Sequence, residues 1–414
     1  MECDALVLGA GMAGVSAALH LQQRGRAVVL IDRCGAAEET SYGNTGLIQS
    51  EGIVPYAFPR DIGKIVQYAL NRLPESHLHW RALPRLARPL FQYWRNAAPE
   101  RVAAAARAFE PLARRCIVEH EAFMQAAGVM NLLRRTGYLK LYPTSETLQT
   151  AVHEEEQAKA AYGVDFRTLS ESEARGLEPH LRGTFAGAIH LPDPVSVSDP
   201  GAVGKAYAEL FVARGGTFRH GEARTLEETA AGWRVQTDGG PVAARDAIVA
   251  LGAWSNDVLQ PLGYRFPLFV KRGYHMHYAA AGNAVLNRPV VDQAGGYVLA
   301  SMTKGIRLTT GAEFADRDAP ATPVQLAKVE PMARALFPLG DRVEPQAWMG
   351  RRPCLPDMLP IVGRAPRHRG LWLDFGHHHW GFTLGPVSGR LLADLVTGET
   401  PFVDPAPYGA DRFS

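Results

Sequence analysis

Cysteine is scarce in this chain: Cys3, Cys34, Cys116 and Cys354 are all there is in 414 residues, spread too widely for a disulfide framework or a paired zinc motif. Such a chain has to be held by an apolar core, and unpaired thiols fit a reducing, cytoplasmic setting. An excess of one charge is missing too. With 44 Lys and Arg against 42 Asp and Glu, the formal net charge is +2, so no overall field draws the molecule to nucleic acid. Long apolar runs are also lacking. The stretch from Ala5 to Leu21 comes nearest, but Gly9, Gly11 and Gly14 interrupt it and no basic region precedes it. It reads as a buried strand entering a helix and not as a signal or spanning segment. Nothing else approaches the roughly 20 apolar residues that cross a bilayer, which leaves peripheral contact as the expected relation to a membrane.

What the chain does have is apolar material, 46% of its residues, at a length beyond the roughly 250–300 residues one core usually holds. Two connected domains are therefore expected. Asp4–Gly9 is a buried parallel-strand candidate, Ala13–Arg24 a helix that Gly25 can end, and Ala27–Asp32 a second strand, which together make a βαβ unit. From Arg60 to Arg115 the apolar spacing turns helical, and prolines at 74, 84, 89, 99 and 111 predict a layer of short helices. Tyr138–Tyr142, Ala188–Leu191, Pro267–His277 and Tyr297–Leu308 read as strands of an antiparallel sheet, with a charged helix around Thr147–Tyr162. Asp199–Arg214 reads as a helix and Asp246–Leu251 as a buried strand ending at Gly252. Near the end, strand Leu371–Phe375 leads through Gly376 to a helix Pro386–Val396 capped by Gly398. The expected fold class is α/β, with α+β character in the second domain. A Rossmann-like, discontinuous nucleotide-binding domain takes residues 1–55, 193–262 and 345–414; an inserted antiparallel-sheet domain with a helical insertion takes 56–192 and 263–344.

The chemistry begins at Gly9, Gly11 and Gly14. This G-x-G-x-x-G, with Ala10, Met12 and Ala13 between its glycines, lies directly between strand and helix, where bare backbone can approach a pyrophosphate and helix amides can face it. Asp32 ends the second strand 18 residues after Gly14, where a carboxylate can accept from a ribose; Arg33 follows it. FAD is preferred over a nicotinamide because a second glycine-punctuated strand and helix closes the chain. In addition, Ser41-Tyr42-Gly43-Asn44-Thr45-Gly46, running into Leu47, falls where the chain would pass beneath the pyrophosphate and flavin. By composition alone that hexapeptide is an ordinary turn; its place after the βαβ unit is what favours cofactor contact.

Together with Lys271-Arg272-Gly273-Tyr274-His275 and Gly350-Arg351-Arg352-Pro353, these segments resemble the D-amino acid oxidase superfamily, bacterial D-amino acid dehydrogenases above all. Leu355-Pro356-Asp357 through Ile361-Val362-Gly363, and Phe375-Gly376-His377-His378-His379-Trp380-Gly381, agree in order and spacing. The resemblance implies non-covalent FAD, a small amino or imino acid substrate, and a carboxylate-holding arginine at Arg352. It also implies flavin contact along Gly376–Thr383, including Gly376, His377, Gly381, Phe382 and Thr383, with Gly252, Trp254 and Gly350 nearby. A guanidinium suits the α-carboxylate on its own chemistry, since its planar fork makes two parallel hydrogen bonds and orients Cα over the ring. Arg351 and Arg272 are rivals for that task.

Tyr274 and His275 lie in the strand expected at Pro267–His277 and are read either as pocket-lining groups or as packed core. Adjacent histidines cannot all face one ion, so His377-His378-His379 is not read as a metal site; His379 and His377 are expected near the flavin or pocket, and no metal is expected. Between Arg60 and Arg115, eleven Lys or Arg against four Asp or Glu are interleaved with Tyr68, Trp80, Phe91, Tyr93 and Trp94. That pattern fits either a solvated helical cover or a peripheral contact at the inner face of the cytoplasmic membrane. The expected activity is oxidative deamination of a small D-amino or imino acid, D-proline or hydroxyproline-like substrates included, by hydride transfer to flavin. Electrons then pass to a quinone or respiratory chain and not to a nicotinamide. Two other readings stay open: a glycine- or sarcosine-type oxidase producing peroxide, and a flavin-bearing relay subunit of a larger complex.

Overall fold

The computed structural model describes residues 1–413. Its first sheet has seven strands, and its parallel centre is built from pieces far apart in sequence. Glu2–Leu8 lies between Val28–Asp32 and the second half of Gly240–Val249, with Leu8 opposite both Ile31 and Val249. Leu371–Phe375 pairs on the far side of Gly240–Val249, and the start of Thr217–Thr229 pairs with Val28–Asp32. These strands are nearly continuous runs of Val, Leu, Ile and Ala because both faces are covered, as a parallel centre requires. Helices Met12–Gln23, Pro200–Ala213, Gly381–Thr397 and Pro99–Ala126 pack against one another on one face. The opposite face is closed by an antiparallel meander, Thr217–Thr229, Gly232–Thr237 and Gly240–Val249, with Trp233 buried beneath it. The carboxyl ends at Leu8, Asp32, Val249 and Phe375 all open toward one edge. In such sheets that edge is where ligands bind.

The second sheet has eleven strands and centres on the long strand Phe269–Ala280. That strand pairs antiparallel with Gly305–Thr309, Ala312–Phe314, Leu339–Arg342 and Trp348–Cys354. Two pairings, Val290–Asp292 with Tyr138–Tyr142 and Ala312–Phe314 with Ser76–Leu78, are parallel, so the sheet is mixed although mainly antiparallel. A small third sheet ties Leu47–Ile48 to Val195–Val197 and Leu133–Arg134, and so joins the cofactor-side segment to the second sheet's layer.

Several expectations are corrected by packing. Pro89 and Pro111 do not break helices; they lie inside Leu83–Asn96 and Pro99–Ala126. A proline removes one backbone bond, and in the 28-residue helix the burial of Phe109, Leu112, Cys116 and Phe123 outweighs that loss. The run Tyr297–Leu308 is two strands, Tyr297–Met302 and Gly305–Thr309, because Gly305 takes φ +129° in a tight hairpin. The last helix starts at Gly381 and not at Pro386, which it carries internally. Gly381, Phe382 and Thr383 are therefore first-turn helical residues and not loop.

Candidate active site

A cavity of about 750 Å³ runs from the Gly9–Ala13 turn, across the Gly43–Leu47 segment, to the second sheet at Lys271, Tyr274 and Arg352. At its first end, Gly9 has φ +104° and a Cβ there would lie 2.5 Å from the Ala250 carbonyl oxygen; a Cβ on Gly14 would lie 1.8 Å from the Gly9 oxygen. Strand, turn and helix can approach this closely only without side chains at those positions. Gly11, by contrast, meets nothing closer than the Ser41 hydroxyl at 3.4 Å and leaves its backbone bare toward the cavity. Asp32 accepts from the amides of Ala10 (2.6 Å) and Cys34 (2.9 Å); burial raises its carboxyl above the usual range, and those two amides oppose the rise. Arg33 pairs with Glu39 at 2.7 Å and lies 4.5 Å over the Trp254 ring.

The middle of the cavity is held from both sides. The Ser41 hydroxyl accepts from Met12 N at 3.0 Å, and Asn44 Oδ1 accepts from Gly46 N at 2.8 Å. Arg307 donates to the carbonyls of Asn44 and Tyr42 and so fixes this segment from the second sheet. Thr383 donates to the Leu47 carbonyl at 3.2 Å, which ties the segment to the first turn of the last helix. His377 Nε2 stands 3.1 Å from Asp374 and 3.0 Å from the Ser388 hydroxyl. His378 adopts φ +55° and accepts from Leu355 N at 3.1 Å; burial first, then Lys271, depresses its basicity strongly. The His379 ring packs 4.0 Å from that of Trp380, its Nε2 has no hydrogen-bond partner, and burial followed by Arg352 and Lys271 keeps it neutral.

At the far end, Arg352 stretches along the sheet over Gly273, where a Cβ would come within 2.5 Å of its guanidinium. Its donors reach only carbonyls: Gly311 at 2.7 Å, Thr310 at 3.3 Å and Arg272 at 3.5 Å. Burial pulls its pKa down. The two rival arginines point elsewhere. Arg272 is fully buried on the opposite face of its strand, bonded to Glu313 at 2.6 Å, to the Ala319 carbonyl at 2.5 Å and to the Pro320 carbonyl at 3.1 Å. With its fork saturated it does not reach the cavity. Arg351 donates to the Arg317 carbonyl at 3.0 Å.

The remaining expected residues divide in the same way. Gly9, Gly11, Met12, Ala13, Asp32, Arg33, Ser41, Asn44, Thr45, Leu47, Gly252, Trp254, Tyr274, Gly350, Arg352, His377, His379, Gly381 and Phe382 line the cavity. Ala10, Gly14, Gly46, Gly376 and Thr383 lie behind it and act on backbone placement. His275 is corrected to a packing role: its ring stacks on Trp348 at 4.7 Å, Nδ1 faces the Gly43 carbonyl at 3.3 Å, and burial and Arg307 push its pKa down to about 2. Tyr274 borders the cavity, but its hydroxyl turns away to Glu313 at 2.7 Å. Lining residues that sequence reasoning passed over are Lys271, Lys140, Tyr56, Tyr138 and Gln49. Lys140 carried a signal, as the one cation in the otherwise apolar strand Tyr138–Tyr142, and Lys271 stood inside the Lys271–His275 segment without being assigned a role.

Residues 4–395 match the DAO family, described as FAD dependent oxidoreductase. The chain belongs to this family. It is 30% identical over 421 residues to the D-amino acid dehydrogenase of Chromohalobacter salexigens, with 99% of each chain covered. To the D-amino-acid oxidase of Bradyrhizobium diazoefficiens it is 29% identical over 418 residues, with 98% of each covered. Among solved structures, glycine oxidase from Geobacillus kaustophilus shares the fold at TM-score 0.76 and 22% identity, over 99% of this chain and 98% of that one. As a DAO-family flavoenzyme the chain is FAD-dependent, and its residues suit that group: a side-chain-free glycine cradle at a helix start, a buried carboxylate at the second strand's end, and a cavity long enough to lead from both to the second sheet. Among the described residues no cluster of three or more His, Cys, Asp or Glu is placed to hold a metal. No helix among them is long and apolar enough to cross a membrane.

Proposed function

We propose that this DAO-family chain oxidises the Cα–N bond of a small D-amino or D-imino acid, proline- and hydroxyproline-like substrates included, with the α-carboxylate on Arg352. The observation that carries this reading is a half-buried guanidinium that lines the cavity, is aimed by three carbonyls and has no carboxylate partner among the described residues. A cation withdrawn from water without a counter-ion is costly, and a bidentate α-carboxylate relieves that cost while fixing Cα. Bound FAD supplies the two-electron acceptor. Of the chain's own groups, His379 offers an unpartnered neutral ring nitrogen to a substrate N–H, and Leu90 and Phe314 supply apolar wall. The similarity to a D-amino acid dehydrogenase over the whole chain supports the D-series.

Anaerobic bleaching of the flavin across D-, L- and N-methyl amino acids tests the reading. Arg352→Lys keeps the charge but loses the fork, so substrate affinity should fall about 10- to 100-fold with FAD still bound. Wild-type reduction by that variant would remove Arg352 from the carboxylate site. Stoichiometric peroxide would make the chain an oxidase of the glycine or sarcosine type, and failure of the purified chain to turn over alone would favour a relay subunit.

We infer further that electrons leave for a quinone-type acceptor of a cytoplasmic membrane's inner face. Helices Ile62–Ala69 and Leu83–Asn96 roof the cavity with Ile65, Tyr68, Leu83 and Leu90 while exposing Ile62, Val66, Leu70 and Phe91 outward.

A further inference from the structure

Two cations stand side by side in the cavity wall, and neither has an acid. Lys271 and Arg352 are direct partners in the antiparallel pairing of Phe269–Ala280 with Trp348–Cys354, so their side chains leave the same face of the sheet, Cβ atoms about 5 Å apart. Both line the main cavity, and both also line an adjoining recess of about 20 Å³ floored by Tyr93, His379 and Trp380. The Lys271 ammonium donates to the Tyr93 hydroxyl at 3.0 Å and sits 4.2 Å from that ring's centroid. The rings of Phe269 and Phe314 lie 5.8 Å away on other sides. Tyr93 itself donates to the Tyr56 carbonyl, which orients its oxygen to accept from the lysine. An ammonium has three donors, and this bond uses one.

Like charges directly opposite on a sheet are destabilising; the ring faces around the ammonium attract it but supply no counter-charge. Nearby acids are bonded elsewhere: Glu313 to Arg272, Glu51 to the Tyr138 hydroxyl at 2.8 Å, and Glu75, which also lines the cavity, to the Tyr68 hydroxyl at 3.1 Å. One α-carboxylate on Arg352 leaves Lys271 unanswered. We propose that Lys271 is a specificity-determining residue for a second acidic group, so that the preferred substrate is a D-amino or imino acid bearing a further carboxylate, of the aspartate or glutamate class. This rests on the D-amino acid reading for Arg352 and names the substrate within it. Arg352 takes the α-carboxylate, Lys271 takes the other, and cationic side chains of the lysine class are turned away by charge.

The test pairs binding with reduction in the FAD-loaded protein. Calorimetric titration compares glutarate with butyrate, which cannot be oxidised at an amine, and anaerobic flavin reduction compares D-glutamate with D-glutamine. Wild type should favour the doubly charged member of each pair by about 10- to 100-fold, as expected for a charge-assisted contact partly out of water. Lys271→Met should bring the two members of each pair to within about 3-fold of each other, and Lys271→Arg, which restores a cation, should recover most of the preference. An unselective wild type would overturn the proposal, as would a glutarate preference that survives in Lys271→Met. Should no amino acid bleach the flavin while the glutarate preference and its loss both hold, the activity assigned above fails and the second anion site stands. Bleaching without any preference would mean the converse.

Discussion

His120 is buried in the helix Pro99–Ala126, its Nε2 2.8 Å from the Phe382 carbonyl and its Nδ1 3.0 Å from the Tyr207 hydroxyl. A carbonyl only accepts, so Nε2 carries a proton, and burial disfavours a second one on the ring. Burial pushes its pKa down from 6.5 to about 4; His20 falls to about 3 for the same first reason, and His275 to about 2. All three are depressed below their unfolded value. Their contribution is therefore complete above about pH 6.5 and is lost as pH falls toward the folded values, because the unfolded chain takes up protons that the native one refuses. At pH 5 each costs about 2 kcal/mol relative to neutrality, from 1.36 kcal/mol per pKa unit. The guanidinium midpoint should accordingly drop between pH 7.5 and pH 5.0, and His120→Gln, which keeps a side-chain donor but cannot titrate, should flatten that drop by the share of this one ring, about 2 kcal/mol at pH 5. Equal slopes for variant and wild type would show that His120 charges freely in the native state.

At the level of elements, the two ends of the chain are locked by a helix crossing. Gly385 and Gly389 of Gly381–Thr397 lie against the first helix: a Cβ on Gly385 would meet Met12 Cγ at 2.6 Å, and one on Gly389 would meet Ala17 N at 2.7 Å. The close approach lets the last helix present Gly381 and Phe382 to the cavity beside the Gly9–Ala13 turn. Gly389→Ala should therefore cost about 1–3 kcal/mol through overpacking, despite alanine's better helix propensity. A lower denaturant midpoint together with lower flavin occupancy is expected, and a gain in stability would mean that the crossing relaxes freely. The same elements show what was legible beforehand. The opening βαβ unit could be read because glycine spacing, apolar runs and Asp32 all carry local signals, and the closing strand Leu371–Phe375 likewise. The early start of the last helix could not, since Trp380 and Gly381 are poor local starters and the helix is fixed by Met12 and Ala17 from the other end of the chain. Arg272 and Arg352 illustrate the same limit at the site. Both lie in motifs beside glycine or proline, and only strand pairing decides that Lys271 and Arg352 share a face while Arg272 turns to Glu313 behind it.

For the whole molecule, the two sheets divide the labour. The first brings its glycine turn and carboxyl edge to one end of the cavity, the second supplies cations and wall at the other, and the helices from residue 62 to 96 close the space between cavity and outside. Those helices are unusual in what they leave bare. Ile62–Ala69 buries none of its residues fully, and Ile62 is 76% and Phe91 58% exposed, among the exposed cations Arg60, Lys64, Arg81, Arg85 and Arg88. Apolar side chains at a surface studded with basic groups suit the headgroup boundary of an anionic bilayer, where the first insert and the second are attracted. Because the inner sides of these helices line the cavity, a lipid-soluble acceptor could reach the flavin end without crossing bulk water. The protein should co-sediment with vesicles containing anionic lipid at low ionic strength and be released as salt shortens the screening length to about 3 Å near 1 M. Ile62→Glu combined with Phe91→Glu should abolish sedimentation and slow electron delivery to membrane vesicles, yet leave reduction of a soluble dye near wild type. If the wild-type chain stays in solution at low salt, or if the double variant loses dye reduction and vesicle delivery in step, these helices are only the roof of the cavity and the acceptor approaches elsewhere.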